Sequence, residues 1–268
     1  MTTSTTFRKT GLAFGMIAAL FISSCSKKDD VKVDPIGNEP ATRKLSRLEQ
    51  NAQNYSVFEY NNAGYLNKVT SREDGVDDIM TVTYNTSNKP ETAVFHDQKL
   101  KFAYGNGVLE KIEFRDENDE LMGFETFVFK GTHVTESTFY GYDSETNTST
   151  AVLAFKNEYA GDDVKTKSVF VYNPATKKLE LAQTSTLEYD NKNNPLAATG
   201  VVAQTLYQAH SVHNVTKETV KDDRNQLTET NTYTYTYDNK NYPTVMKEKK
   251  VTPENPAGTE TQHTFSYK

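Results

Sequence analysis

The sequence predicts an all-β protein: one long antiparallel meander of hairpin repeats, about 14 to 16 strands of ordinary length. Three observations predict it. Period-two alternation is dense: Thr232 to Tyr237 alternates threonine with tyrosine, Leu100, Phe102 and Tyr104 share one strand face, Ile112 and Phe114 share another, and His263, Phe265 and Tyr267 a third. Such alternation marks strands with one buried and one wet face, as an antiparallel sheet allows. A turn motif recurs along the chain. The 268 residues also hold 16 Tyr and 14 Phe but no Trp, and no strong helix period is found from residue 42 onward.

Residues 1–24 read as a signal peptide. Arg8 and Lys9 precede an almost unbroken apolar run, Leu12 to Ile22, too short for a stable membrane span. Ile22-Ser23-Ser24-Cys25 resembles the lipobox of bacterial lipoproteins, an aliphatic residue, two small ones and a cysteine. The resemblance implies cleavage before Cys25 and acylation of both its thiol and its new amino group. Several acyl chains anchor a protein far better than one, each buried methylene contributing about 0.8 kcal/mol. Cys25 is the only cysteine, which excludes a disulfide framework and a cysteine zinc site.

Residues 25–41 are then the lipidated cysteine and a disordered tether. The stretch after Cys25 is dominated by Pro, Gly and charge, with no hydrophobic period. As a flexible coil it reaches about 20 Å. Lys28-Asp29-Asp30 resembles the short Lys-acidic-acidic tag that sends Bacteroidota lipoproteins to the outer face of the outer membrane, so display at the cell surface is expected.

From 42 to 268 the repeat takes over. Its clear copies end strands at Tyr60, Tyr84, Tyr189 and Tyr237, each with a Leu or Pro six positions on: Leu66, Pro90, Pro195 and Pro243. Altered copies lie at 102–107 and 170–174, and Phe265-Ser266-Tyr267 is half a copy. Two residues at i and i+2 enter the core, and Asn or Asp then bonds its own backbone and breaks the ladder. Gly64, Gly107, Asn88, Asn193 and Asn241 suit turn positions of positive φ. Proline is tolerated as a first strand residue. The unit is strand, tight turn, strand, and neighbouring units bury one another. A sheet this wide must twist and curl, so a partly closed barrel is the first expectation and an elongated open sheet the second. If Tyr60, Tyr84, Tyr104, Tyr189 and Tyr237 end equivalent strands they line one rim, with buried rings and hydroxyls near the turn backbone. A lipid-spanning porin would need an apolar outer band. The alternate face instead carries Lys99, Lys101, Glu113, Thr232, Thr234 and Thr236.

One segment departs from the repeat. In 195–214, Val202, Leu206 and Ala209 keep a short helical spacing. It reads as a long loop over a sheet edge or opening, either a plug or a binding element.

Catalytic and metal motifs are not evident. The sequence has no Gly-x-Ser-x-Gly elbow, His-Glu-x-x-His helix or phosphate loop. His210 and His213 form a lone His-x-x-His, and His263 shares a face with core aromatics. Asp116 to Glu120 starts like a calcium loop, but Leu121 and Phe127 stand where glycine and the bidentate glutamate belong. Asp74, Asp77, Asp78, Asp162-Asp163 and Asp222-Asp223 read as hairpin turns. A formal charge of −6 disfavours nucleic acid. No cofactor, metal or catalytic residue is assigned.

The Tyr-Asp or Tyr-Asn repeat is similar to the YD repeats of Rhs-type proteins. The whole arrangement resembles a family of uncharacterised Bacteroidota lipoproteins with a lipobox, an acidic tether and a repetitive domain described as porin-like. That family supplies no catalytic residues to transfer. The resulting expectation is a non-enzymatic outer-membrane lipoprotein, held in lipid through Cys25 and facing the exterior, whose β module binds a glycan, peptide or envelope protein. The alternatives are a structural or assembly subunit of an outer-membrane complex and an envelope hydrolase.

Overall fold

The computed structural model describes residues 43–96, 98–197, 205 and 211–268. The expected signal peptide, Cys25 and the expected tether lie outside the described residues. Sixteen strands follow in order: β1 (Leu45–Asn51), β2 (Asn54–Tyr60), β3 (Leu66–Glu73), β4 (Val76–Tyr84), β5 (Pro90–Phe95), β6 (Gln98–Gly105), β7 (Val108–Arg115) and β8 (Leu121–Lys130). The second set is β9 (His133–Asp143), β10 (Thr148–Ala160), β11 (Asp163–Asn173), β12 (Lys178–Asn193), β13 (His213–Asp222), β14 (Leu227–Tyr237), β15 (Pro243–Val251) and β16 (Thr259–Tyr267). Each pairs antiparallel with the next, and β16 returns to β1 through Leu45↔Tyr267 and Leu48↔Phe265. The sheet is a closed barrel, the first of the two expectations.

Residues opposite one another on neighbouring strands share a face, so the core can be followed around the wall. Phe58 faces Val69, Val69 faces Met80, and Leu100 faces Phe114. All five of these partners are buried, as are Leu45, Leu66, Ala93, Leu109 and Ile112. Full burial of each large side chain stabilises by about 1.5–3 kcal/mol. The outer face carries the intervening residues. Lys99 and Lys101 reach Asp119 at 3.2 and 2.6 Å, and Glu113 sits between Lys111 and Arg115, each at 2.6 Å. Thr232, Thr234 and Thr236 are exposed.

A five-residue turn recurs because one aspartate or asparagine can complete it alone. In 85–89, 116–120, 222–226 and 238–242 the first side-chain Oδ1 accepts from the backbone N–H two and four residues on. The fourth residue takes positive φ: Asn88, Asp119, Asn225 and Asn241 at 58–63°. Asn and Asp tolerate this region. The acidic stretch Asp116–Glu120 is thus a hairpin turn, as expected.

Two repeat copies depart from the sequence reading. Asn193 is not a turn residue: β12 runs through it, and the chain leaves the sheet at Asn194. Pro195 therefore starts no strand. The 170–174 copy ends an odd-numbered strand, β11, and turns at the opposite mouth from the others. A local motif specifies a turn but not the end of the barrel at which it falls.

Candidate binding site in the barrel lumen and at its mouth

The mouth where even-numbered strands end is rimmed by tyrosines. Tyr60, Tyr84, Tyr104, Tyr159, Tyr189, Tyr235 and Tyr267 donate their hydroxyls to the carbonyls of Leu45, Leu66, Pro90, Val134, Val164, Val215 and Pro243 at 2.6–3.0 Å. In each case the acceptor sits opposite the aromatic residue that ends the strand pair before. Burial pushes the Tyr60, Tyr84, Tyr159, Tyr189, Tyr235 and Tyr267 hydroxyls well above the ordinary tyrosine value. The rings line one rim and are partly buried against the core, the packing role expected of them. Two positions differ. On β14 it is Tyr235 that makes the bond, while Tyr237 donates to Asp190. On β8 the aromatic is Phe129, which has no hydroxyl to give.

The ends of the irregular segment are stitched into this same mouth. Asn194 and Leu196 are buried, as are Ser211, Asn214 and Thr205, a helical residue in the segment's middle. Asp163 accepts from the backbone N–H groups of Val212 and His213 at 2.6 and 3.0 Å, and its second oxygen lies 2.8 Å from His213 Nδ1. Val164 N–H donates to Ser211 Oγ, and Asp190 accepts from the backbone of Lys192 and Asn214. His213 therefore works as a staple between β13 and the β10–β11 turn. Val202, Leu206, Ala209 and His210 lie outside the described residues.

Beneath the mouth, the inward face of β8 to β14 sets buried polar groups among apolar ones such as Val134, Leu187 and Val215. Glu125, Ser137, Asn157, Ser185, Glu218 and Asn231 are all buried. Burial pushes the Glu125 carboxyl up to about 7, against the pull of the Ser137 hydroxyl and the Lys167 ammonium. Burial likewise pushes Lys167 down to about 8, opposed by Glu218 and Glu125. Asn231 Nδ2 donates to Glu229 at 2.7 Å and Glu218 at 3.3 Å, and Lys250 pairs with Glu229. Glu248 is raised, first by burial. His263, inward on β16, is lowered by burial, in keeping with a packing role. None of these inward groups carries an obvious sequence signal: an inward glutamate and an outward one look alike in an alternating strand.

At the rim beside Phe129, a cavity of about 440 Å³ opens between the β8–β9 and β10–β11 hairpins. Lys130, His133, Thr135, Asn157, Glu158 and Tyr159 line it. The His133 and Tyr159 rings stack at 4.2 Å, and His133 Nε2 lies 3.2 Å from Asp162 Oδ1. Asn157 is anchored by its Nδ2, which donates to the Val134 carbonyl at 3.1 Å. Its Oδ1 is buried without a hydrogen-bond partner. The sequence reading missed this site, since no motif links positions 130, 133 and 157. Among the described residues, no group of three or more His, Cys, Asp or Glu side chains is placed to hold a metal ion.

No protein-family model matches the chain, and none of the curated proteins does. Solved structures do. A porin-like protein from Bacteroides uniformis is 13% identical, with 85% of this chain and 99% of that one covered at a TM-score of 0.54. A porin-like protein from Bacteroides vulgatus is 9% identical, covering 84% and 99% at 0.50. A weaker likeness, TM-score 0.28 at 13% identity over 78% of this chain and 14% of the other, is to a TcdB2–TccC3 structure and carries no argument. At these identities the likeness is one of architecture: this chain shares its closed antiparallel barrel with the two porin-like proteins.

Proposed function

We propose that the chain is a lipid-anchored, surface-facing, non-catalytic module of the outer membrane, which uses its barrel to bind a glycan, peptide or envelope protein. One observation carries the reading: the outer wall is built for water while the inside is filled. Ion pairs run along the outside from Lys68–Glu59 and Arg72–Asp77 through Lys156–Glu136 to Lys217–Glu188. A lipid-facing wall would suffer several kcal/mol for each such charge near the bilayer middle, about 2–4 for Lys or Arg. The interior holds an apolar core that runs from Leu45 and Ile112 to Leu187, Val215 and Met246, with buried polar groups set into it from β8 to β14. We read the barrel as a water-facing body held beside the membrane by Cys25 and its tether. The inward carboxylates serve Lys167, Asn231 and Lys250 rather than standing as a free acid–base pair.

A second reading has its own support. On the outer face of β8 and β9, Phe124 and Tyr140 stack at 4.8 Å, with Val128 56% exposed nearby on β8. An aromatic patch on an otherwise charged wall suits a fixed protein neighbour, as in a structural or assembly subunit.

Proximity cross-linking of the lipidated protein in intact cells tests both. A ligand or glycan conjugate captured only when cells are intact, with protease shaving removing the barrel and Cys25→Ser releasing it from envelopes, is the expected result. A barrel fully protected from protease, or a Cys25→Ser protein that still pellets with envelopes, overturns the proposal. One constant protein partner through Phe124 and Tyr140 favours the second reading.

A further inference from the structure

We propose that the mouth rimmed by tyrosines is a membrane-docking face, which stands the barrel on anionic lipid headgroups with its opposite mouth turned outwards. The inference rests on the lipid-anchor reading above and names the surface that the barrel meets.

The two mouths carry opposite charge. Among the described residues, the connections at the tyrosine mouth hold Lys89, Lys240, Asp162 and Asp238, and Arg43 and Lys44 stand there just before β1. The connections at the other mouth hold Asp74, Glu145, Asp223, Glu254 and the acids of Asp116–Glu120, against Lys177 and Arg224. Lys99 and Lys101 answer Asp119 from the wall, which still leaves that mouth acidic.

The basic groups gather where the chain enters the barrel. Arg43 lies over the Tyr267 ring, 4.6 Å from its centre, and pairs with Asp238. Lys44 lies over the Tyr60 ring at 5.3 Å, and Lys192 donates to the Asn241 side chain at 3.1 Å. Both of these contacts are with neutral groups and cancel no charge. Lys240, beside Asn241, is exposed. The carboxylates of the same arc turn inwards. Asp238 accepts from the backbone N–H groups of Lys240 and Tyr242, and its side chain is 15% exposed. Asp190 accepts from the backbone N–H groups of Lys192 and Asn214 and from the Tyr237 hydroxyl. The arc thus presents ammonium groups to its surroundings and keeps its carboxylates within the turns.

Distance makes this an orienting device. β14, with 11 residues, spans about 35 Å, and with the usual tilt of a barrel strand it sets one mouth about 25 Å above the other. Interactions between exposed charges fade beyond about 8 Å at physiological ionic strength, so headgroups act only on the mouth that lies against them. The chain from Cys25 joins the barrel at Arg43, on the basic mouth, through a coil that reaches about 20 Å. With that mouth down the coil stays relaxed and lysines meet lipid phosphates, where each Lys or Arg raises affinity about fivefold. Turning the barrel over would stretch the coil along the wall and press the acidic connections against the same phosphates.

The test is energy transfer from a fluorophore on the lipidated protein, purified from membranes, to acceptor-labelled lipid in vesicles. With Cys25 acylated, an introduced cysteine takes the label: Asn239→Cys at the tyrosine mouth or Glu117→Cys at the opposite one, both exposed. The vesicles are phosphatidylcholine alone, or equal parts of phosphatidylcholine and phosphatidylglycerol. With anionic vesicles, transfer from position 239 is expected to exceed that from position 117 about twofold or more, since the labels differ in height by about 25 Å. The excess should shrink in neutral vesicles, at high salt, and in protein carrying Lys44→Glu with Lys240→Glu. Equal transfer from the two labels with anionic vesicles overturns the assignment, and a protein or a second copy seated on the basic mouth would give that result. Greater transfer from position 117, or an excess that neutral lipid and salt leave unchanged, overturns it as well. Retention by the vesicles reports the anchor separately. Protein that stays with neutral vesicles but shows no excess with anionic ones loses the docking face and keeps the anchor. Protein held by anionic vesicles alone, with the excess, loses the anchor and keeps the docking face. Protein held by neither loses both.

Discussion

The first seven strands and the seven that follow solve the same problem in opposite ways. β1 to β7 are six to nine residues long, and every buried side chain described on them is apolar, from Leu45 to Phe114. β8 to β14 are ten to sixteen residues long and bury Glu125, Ser137, Thr138, Asn157, Ser185, Glu218 and Asn231. The short half is held chiefly by apolar packing, with the Ser56 and Ser71 hydroxyls, 3.0 Å apart, as a part-buried polar contact. The long half mixes apolar packing, with Val134, Val164, Leu187, Val215 and Tyr233 buried, and buried hydrogen bonds and charges, a more conditional arrangement because an unsatisfied buried group costs more than a satisfied one contributes. The rim cavity and the stitched segment both belong to the long half. The apolar half thus acts as a frame and the polar half as the adjustable wall.

The largest expected effect comes from cutting the frame. Ile112→Ala removes a fully buried side chain from β7 and should cost about 3–4 kcal/mol, whereas Ser185→Ala on β12 should cost under about 1. Urea midpoints of the two variants measure the contrast, and equal losses would break it.

Next in size is a pH effect confined to the polar wall. Glu125 has a folded pKa of about 7 against an ordinary 4.5, so the folded state prefers it protonated. Its ionisation costs stability: the protein loses about 3 kcal/mol as pH rises from about 4.5 through 7, at about 1.4 kcal/mol for each unit of difference. Lys167, held down to about 8, costs stability while charged, and that loss is recovered as pH rises from 8 toward 10.5. Stability should therefore pass through a minimum between the two. Denaturation curves of Glu125→Gln should lack the falling limb below pH 7; a retained limb would assign it to another group.

Gly123 marks the seam between the halves. It faces Phe114 on β7 and Gly141 on β9, and a Cβ there would lie 2.5 Å from the Tyr140 carbonyl oxygen. Gly123→Ala should cost about 1–3 kcal/mol through backbone displacement, read by the thermal midpoint. The smallest effect belongs to the girdle. Tyr84→Phe should lose about 1 kcal/mol with the hydrogen bond to Leu66, while Phe129→Tyr should gain a bond to Leu109, opposite Tyr104, and up to about 1 kcal/mol. A crystal structure of the Phe129→Tyr protein would show whether the new hydroxyl completes the ring.

Much of the frame was legible because its alternation is clean. Leu100, Phe102 and Tyr104 face in, and Lys99 and Lys101 face out, as period two requires. Barrel closure was open in the sequence because nothing local says that β16 will meet β1; the pairing joins residues at opposite ends of the chain. Bulges hid the rest. The pairing slips between Glu158 and Tyr159 and between Val128 and Phe129, so near the cavity parity no longer reports the face. Tyr235 holds the girdle position because the β13–β14 register, Lys217↔Thr232, brings it to the Val215 carbonyl, while Tyr237 lies two residues further on and donates to Asp190. Asn193 looked like a turn residue since the motif around it is complete, yet the chain continues through it into the segment it helps anchor.

Amide hydrogen exchange, resolved strand by strand, tests the division of labour most directly. After correction for intrinsic rates, amides of β1 to β7 should be protected more strongly than those of β8 to β14 at slightly alkaline pH, and the gap should narrow near pH 5, where Glu125 is protonated. Equal protection in the two sets at both pH values, or a gap that widens on acidification, would contradict the account.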